Sequence, residues 1–126
     1  MALEDVLEKI RVRLEERIKR QLSGLQGFVV KPLYDSILPF HVEVLVAPES
    51  YDFAFLPNGI VELRRPYSGS TPDVRIESDA QTFACLFQNP STEMFNQLES
   101  QQKIRVVSLT KKGKDAEGYI RRYLTG

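Results

Sequence analysis

Phe40, Val42, Val44 and Val46 alternate with His41 and Glu43. A period of two suits a strand with one face buried and the other partly wet, and no helix collects those apolar side chains on one face. The alternation returns at Tyr51, Phe53 and Phe55. Pro57-Asn58-Gly59 then reverses the chain, because Pro fixes the first turn residue and Asn-Gly tolerates positive φ. Residues 60–64 return as the second half of a hairpin. Residues 27–31, short and rich in β-branched Val, read as a further strand, as do 73–77, with Val74 and Ile76 on one face, and 104–109. Strands joined by tight turns specify an antiparallel sheet.

Helical periods flank this sheet. Leu3, Val6, Leu7, Ile10, Leu14, Ile18 and Leu22 recur at steps of three and four, so residues 2–22 form one long helix with a single apolar stripe. Ser23-Gly24 ends it. After the strand at 73–77 the period changes again. Ser78 with Gln81 three residues on reads as a capping box, with Asp79 in the first turn. Asn89-Pro90 reads as the cap and first residue of another helix. Residues 115–124 carry Ala116, Tyr119, Ile120, Tyr123 and Leu124 in helical register. The fold class is α+β, with a long N-terminal helix and a C-terminal helix on an antiparallel sheet.

At 126 residues the chain is one domain, residues 1–126, and large enough for a core without staples. Lys plus Arg equals Asp plus Glu, at 17 each, which argues against nucleic acid as a partner. The balance hides an asymmetry. Residues 35–63 hold five acids and no Lys or Arg, whereas residues 103–126 hold seven bases against Asp115 and Glu117. A single cysteine, Cys85, allows no internal disulfide, and the charged N-terminus lacks an apolar signal core, so a cytoplasmic protein is expected.

The sequence is poor in chemistry. The one histidine, His41, and the one cysteine, Cys85, are the only pair from which a nucleophile and base could be built. Cys85 lies beside Phe83, Leu86 and Phe87 and is expected to be a small buried hydrophobe, while His41 falls on the more polar face of its strand. There is no phosphate loop, no nucleophile elbow and no acidic cluster with metal spacing, so no enzyme, metal or cofactor is expected. Tyr51, Phe53 and Phe55 resemble a base-stacking row, but Glu49 and Asp52 beside them repel phosphate, and they read as core.

One order of residues is distinctive. The strand opening at Asp73 with an inward Ile76 runs through Asp79 into a helix bearing Phe83 and Leu86. Asn89-Pro90 opens a second short helix, and Lys103-Ile104-Arg105-Val106 begins the next strand. This half of the chain resembles the sterol carrier protein type-2 (SCP-2-like) family. The resemblance implies a five-stranded antiparallel sheet covered by helices, with an apolar tunnel between the two. It implies a carrier of a lipid, fatty-acyl chain or sterol-like molecule, and a lipid transport role rather than catalysis.

On that resemblance the ligand site falls on Phe83, Leu86, Phe87, Met94, Phe95 and Leu98, joined by Ile120, Tyr123 and Leu124. These side chains supply burial, and the hydroxyls of Tyr119 or Tyr123 supply orientation. Lys111, Lys112, Arg121 and Arg122 would favour an anionic membrane surface. The alternative is a module that uses the same apolar helix faces, with Ile120, Tyr123 and Leu124 as an exposed stripe, to bind another protein or form a homodimer.

Overall fold

The structure is a computed structural model describing residues 3–24, 27–65 and 71–125, apart from the side chains of Phe28, Tyr123 and Thr125. Helix α1 spans Leu3–Ser23 and α2 spans Gly27–Ile37. Strands β1 (Phe40–Val46), β2 (Glu49–Phe55) and β3 (Val61–Arg64) follow as a meander. Strand β4 (Val74–Ser78), helices α3 (Ala80–Gln88) and α4 (Thr92–Ser100), strand β5 (Ile104–Ser108) and helix α5 (Lys111–Thr125) complete the chain.

The sheet has five strands in the order β3-β2-β1-β4-β5, and it is mixed. Three pairs are antiparallel, but β4 runs parallel to β1, with Val42 beside Val74 and Val44 beside Ile76. The purely antiparallel expectation is therefore corrected. Tight turns fix the sense only of the strands they join. The chain between Arg64 and Val74 is long enough to carry β4 back past β2 to the far side of β1.

The reading of 27–31 as a strand is also corrected. These residues open α2, whose Val30, Tyr34 and Ile37 are partly buried at helical spacing while Tyr34 Oη donates to Leu56 O at 2.8 Å. Local β propensity of the Val pair yields to that docking. Pro32 inside the helix hid the period from a sequence reading.

Three helix starts move. Asp79, not Ser78, caps α3: its carboxylate accepts the Thr82 N–H at 2.8 Å and the Thr82 hydroxyl at 2.7 Å. Ser78 instead donates to Lys103 O across the start of β5. Ser91, not Asn89, caps α4 by accepting the Met94 N–H at 3.0 Å. Helix α5 begins at Lys111, four residues before the expected 115, because the Thr110 hydroxyl accepts the Gly113 N–H at 3.0 Å and extends the first turn.

The two sheet faces differ sharply. On one, Phe40, Val42, Val44, Val46, Tyr51, Phe53, Val61, Val74, Ile76, Ile104 and Val106 are buried in one cluster with Val6, Leu7 and Ile10 of α1. The other carries Glu43, Asp52 and Glu77 in cross-strand pairs. His41 Nδ1 lies 3.0 Å from Asp52, Arg75 Nε donates to Glu43 at 2.7 Å, and Arg105 Nη1 donates to Glu77 at 3.2 Å. Asp52 and Glu43 are buried there, each with a partner on the neighbouring strand, His41 and Arg75.

The hairpin turn is as the sequence implied. Asn58 and Gly59 adopt φ of 66° and 78°. A Cβ on Gly59 would lie 3.0 Å from the Lys19 side chain, so the turn fits tightly beneath α1.

Candidate functional site

The apolar helix layer is built by α3, α4 and α5. Phe83 and Leu86, three apart on α3, are 1% and 0% exposed. Phe87 extends the row, its ring centroid 4.7 Å from that of Phe83. Phe95 of α4 is buried, while Met94 and Leu98 beside it are partly buried against the same cluster. From α5 come Leu124, fully enclosed, and Ile120, half-buried. Eight of the expected ligand-contact residues thus converge on the apolar sheet face.

The other two stand differently. Tyr119 is 73% exposed, and the Arg122 guanidinium lies 5.6 Å above its ring on the outer side of α5. The expected role of the Tyr123 side chain lies outside the described residues. Of the expected dimerisation stripe, the two described side chains are not exposed: Leu124 is 2% exposed and Ile120 packs on the core, because α5 turns this face toward the sheet.

A polar seam closes α4 against α5. Arg121 donates to Glu99 at 2.8 Å and to Glu117 at 3.2 Å, with its guanidinium 5.7 Å above the Phe95 ring. Glu117 also accepts the Ser108 hydroxyl at 2.7 Å. That hydrogen bond, with Arg121 beside it, holds the Glu117 carboxyl below its ordinary range. Lys112 reaches back to Pro39 O and lies 3.9 Å from the Asp73 carboxylate. Lys112 and Arg121, two of the four bases expected to face a membrane, are therefore engaged within the fold, and Arg122 lies over the Tyr119 ring.

Asp73, noted in the sequence only as the start of a strand, ties the start of β4 to β1 and to the connection between β5 and α5. Its carboxylate accepts the His41 N–H at 2.9 Å and the Thr110 hydroxyl at 2.7 Å, and its carbonyl accepts the Leu109 N–H at 2.8 Å. A buried Asp at the mouth of a β-strand signals such a role.

His41 and Cys85 do not meet. His41 lies on the polar sheet face with Asp52, whereas Cys85 is on α3, which packs Phe83 and Leu86 onto the apolar face. Cys85 is exposed, contrary to expectation, because α3 turns the residues on either side of it, Ala84 and Leu86, toward the core. Among the described residues no group of three His, Cys, Asp or Glu could hold a metal ion, and no buried side-chain nitrogen or oxygen lacks a hydrogen-bond partner.

A second feature lies beside α2. A groove of about 480 Å³ runs between α2 and the β2–β3 turn, lined by Lys31, Asp35, Leu38, Pro39, Leu56, Pro57 and Asn58. A smaller one of about 310 Å³ continues from Lys31 and Asn58 to Lys19, Leu22 and Ser23 of α1. Periodicity of Val30, Tyr34 and Ile37 would have revealed this wall had Pro32 not interrupted it.

This architecture matches solved structures of sterol carrier protein type-2 domains. A UbiJ-SCP2 ubiquinone synthesis protein overlays with a TM-score of 0.53 at 12% identity, covering 93% of this chain and 96% of that one. The fold is SCP-2-like. A palmitated SCP2L2 from Aedes aegypti overlays with a TM-score of 0.50 at 13% identity, covering 100% of this chain and 96% of that one. A double mutant of the sec-alkyl sulfatase PisA1 overlays over 16% of its own length with a TM-score of 0.48, which carries no assignment. No family model and no curated protein sequence matches the chain. The order of elements from β4 to β5 was readable from residues 73–106 even so, although the caps of α3 and α4 were not.

Proposed function

We propose that this protein binds a lipid or fatty-acyl chain between the α3–α5 layer and the apolar face of the sheet, and carries it without any chemical step. One observation supports this most. An apolar layer of Phe, Leu and Met lies on a sheet in the fold that a palmitated SCP2L2 also has. Phe83, Leu86, Phe95 and Leu124 form the floor. The half-buried Phe87, Met94, Leu98 and Ile120 part to admit the chain, and Met suits this because its thioether side chain adapts to irregular apolar shapes. Each CH₂ moved out of water gains about 0.8 kcal/mol, so a chain of roughly a dozen carbons offsets considerable ordering cost. On this reading Tyr119, exposed on α5, would meet a head group rather than the chain.

The test is native mass spectrometry of protein purified without detergent, paired with titration by fluorescent fatty-acid and sterol analogues. A co-purified lipid mass, or micromolar binding of an analogue, is expected. If neither appears the carrier reading falls, and an interaction module becomes the better account, with sedimentation at two concentrations reporting self-association.

A further inference from the structure

We infer that the outer edge of β5 pairs with the same edge of a second copy of this chain, antiparallel about a two-fold axis at Val106. The sheet has two edges, β3 and β5, and they differ. At β3, Glu15 accepts the Val61 N–H and Arg11 donates to Val61 O, so α1 occupies both backbone groups of that edge residue. At β5 the Leu109 N–H bonds Asp73 O, and the register sets Val107 beside Arg75 and Arg105 beside Glu77. Backbone groups alternate in direction along an antiparallel strand, so Ile104, Val106 and Ser108 turn their N–H and C=O away from β4. Among the described residues no hydrogen bond reaches these outward groups, and Ser108 bonds α5 through its hydroxyl rather than its backbone. An open edge of this kind is a template for another strand.

The strand complements itself in one register. Val106 is the middle residue of β5. With Val106 facing its own copy, Ile104 faces Ser108 in both directions, and each of these pairs exchanges both backbone bonds. Arg105 then stands opposite Val107 of the copy, and Lys103 opposite Leu109. Lys103 and Arg105 are exposed and Leu109 is 37% exposed, so the aliphatic stems of the bases cover Val107 and Leu109 across the axis. Arg105 donates to Glu77 at 3.2 Å on its inner side, which draws its charge away from the copy. Centring the pairing on Arg105 instead sets two guanidinium groups face to face, and like charges directly opposite are destabilising. Centring it on Val107 sets Ile104 against Thr110, beyond the end of the copy's β5. Only the Val106 register pairs the whole strand without opposing like charges. Because α1 occupies the β3 edge, the pairing stops at two copies and does not run on as a fibre.

This inference does not depend on lipid carriage, and its test separates the two. Sedimentation velocity over a concentration series should show a monomer giving way to a dimer. Hydrogen exchange at low and high protein concentration should protect the Ile104, Val106 and Ser108 amides in the dimer alone. Val107→Lys sets a base against Arg105 of the copy, and Val107→Glu sets an acid there. Each change acts twice in the dimer, so the first should weaken it about tenfold and the second should tighten it. Val107 is half-buried on the polar face, away from the apolar helix layer, so acyl-probe binding should stay at the parent value in both variants. A monomer at every concentration up to about 1 mM overturns the inference. So does a dimer indifferent to both Val107 variants, since the contact would then lie elsewhere, as on the helix faces. Protection of those three amides at all concentrations also overturns it, because the edge would then be covered within one chain. A dimer of the expected kind with no acyl-probe binding would sink the carrier reading alone.

Discussion

The carboxylate of Glu15 accepts the Val61 backbone N–H at 2.9 Å, joining α1 to the edge strand β3 across 46 positions of sequence. Arg11 completes the pairing by donating to Val61 O at 3.2 Å, so both backbone groups of an edge residue are satisfied by helix side chains. The Val61 hydrogen bond, aided by Lys19, holds the Glu15 carboxyl below its ordinary range. Because the folded pKa is depressed, the unfolded chain binds more protons as pH falls below about 4.5, and the stabilisation present at neutral pH is then lost. Asp79, through Thr82, and Glu117, through Ser108, act in the same direction. Glu15→Ala should cost about 1–2 kcal/mol at pH 7 and progressively less as the pH is lowered into the acid range, as read by denaturant titrations at a series of pH values. An equal loss at every pH would show that the ionised acceptor is not what matters.

Gly113 is the tightest fit in the first turn of α5. A Cβ there would lie 2.0 Å from Asp73 O, a backbone atom that cannot swing aside and that already accepts the Leu109 N–H. Gly113→Ala, which elsewhere in a helix would raise propensity, should here lower stability by about 2 kcal/mol or more. Gly118 provides the control, since a Cβ there meets nothing within 4 Å; Gly118→Ala should stabilise by roughly 0.5–1 kcal/mol. Thermal melts of the two variants should move in opposite directions.

Two of the five tyrosines are held in their neutral form. Burial, then Asp35 and Glu15, push the Tyr34 hydroxyl up to about 12; burial, then the hydrogen bond to Glu49, do the same for Tyr51. A folded pKa raised above the unfolded value near 10 leaves stability intact below pH 10 and removes it as pH rises toward 12. Phenolate absorbance should therefore appear in two steps, the later one coincident with loss of the circular dichroism signal. Tyr34→Phe should remove part of the second step. A single step near pH 10 with the fold intact would contradict the buried environments.

Cys85 should label in the native state. It is exposed on α3 between Ala84 and Leu86, both of which turn inward. Maleimide should react with folded protein at a rate unaltered by denaturant below the unfolding midpoint. Reaction only on unfolding would place the thiol in the core.

The elements whose side chains answer to one neighbour were legible in the sequence. The stripe of α1, the alternation of β1 and β2 and the Asn58-Gly59 turn each carry a local period or a φ requirement that any packing must respect. The parallel β1–β4 pair was not legible, because no residue encodes which side of β1 a returning strand takes. Helix α2 was obscured by Val29-Val30 and Pro32, whose local preferences oppose a conformation held by Tyr34 and its distant acceptor Leu56. At the candidate site the apolar residues on α3 and α4 were readable from spacing. The outward turn of Tyr119 and Cys85 was not, since it depends on how far each helix rolls onto the sheet.

The proposed lipid site predicts a division of labour between neighbouring residues. Leu86 is 0% exposed, and Leu86→Ala should cost about 2–5 kcal/mol through lost burial and the cavity left behind, whatever the protein binds. Leu98 and Met94 only border the cluster, so Leu98→Ala or Met94→Ala should cost less, about 1 kcal/mol. If an acyl chain passes between α4, α5 and the sheet, these border residues form its walls. Their truncation should then alter acyl-probe affinity by more than it alters stability. Replacing Leu98 by Trp narrows the same opening and should weaken the probe by about tenfold, one to two kcal/mol, while the folded state persists. The measurement is a probe titration beside a denaturant titration for each variant. Affinity that follows stability alone across Leu86, Met94 and Leu98 would reduce this layer to core and leave the ligand without a place in it.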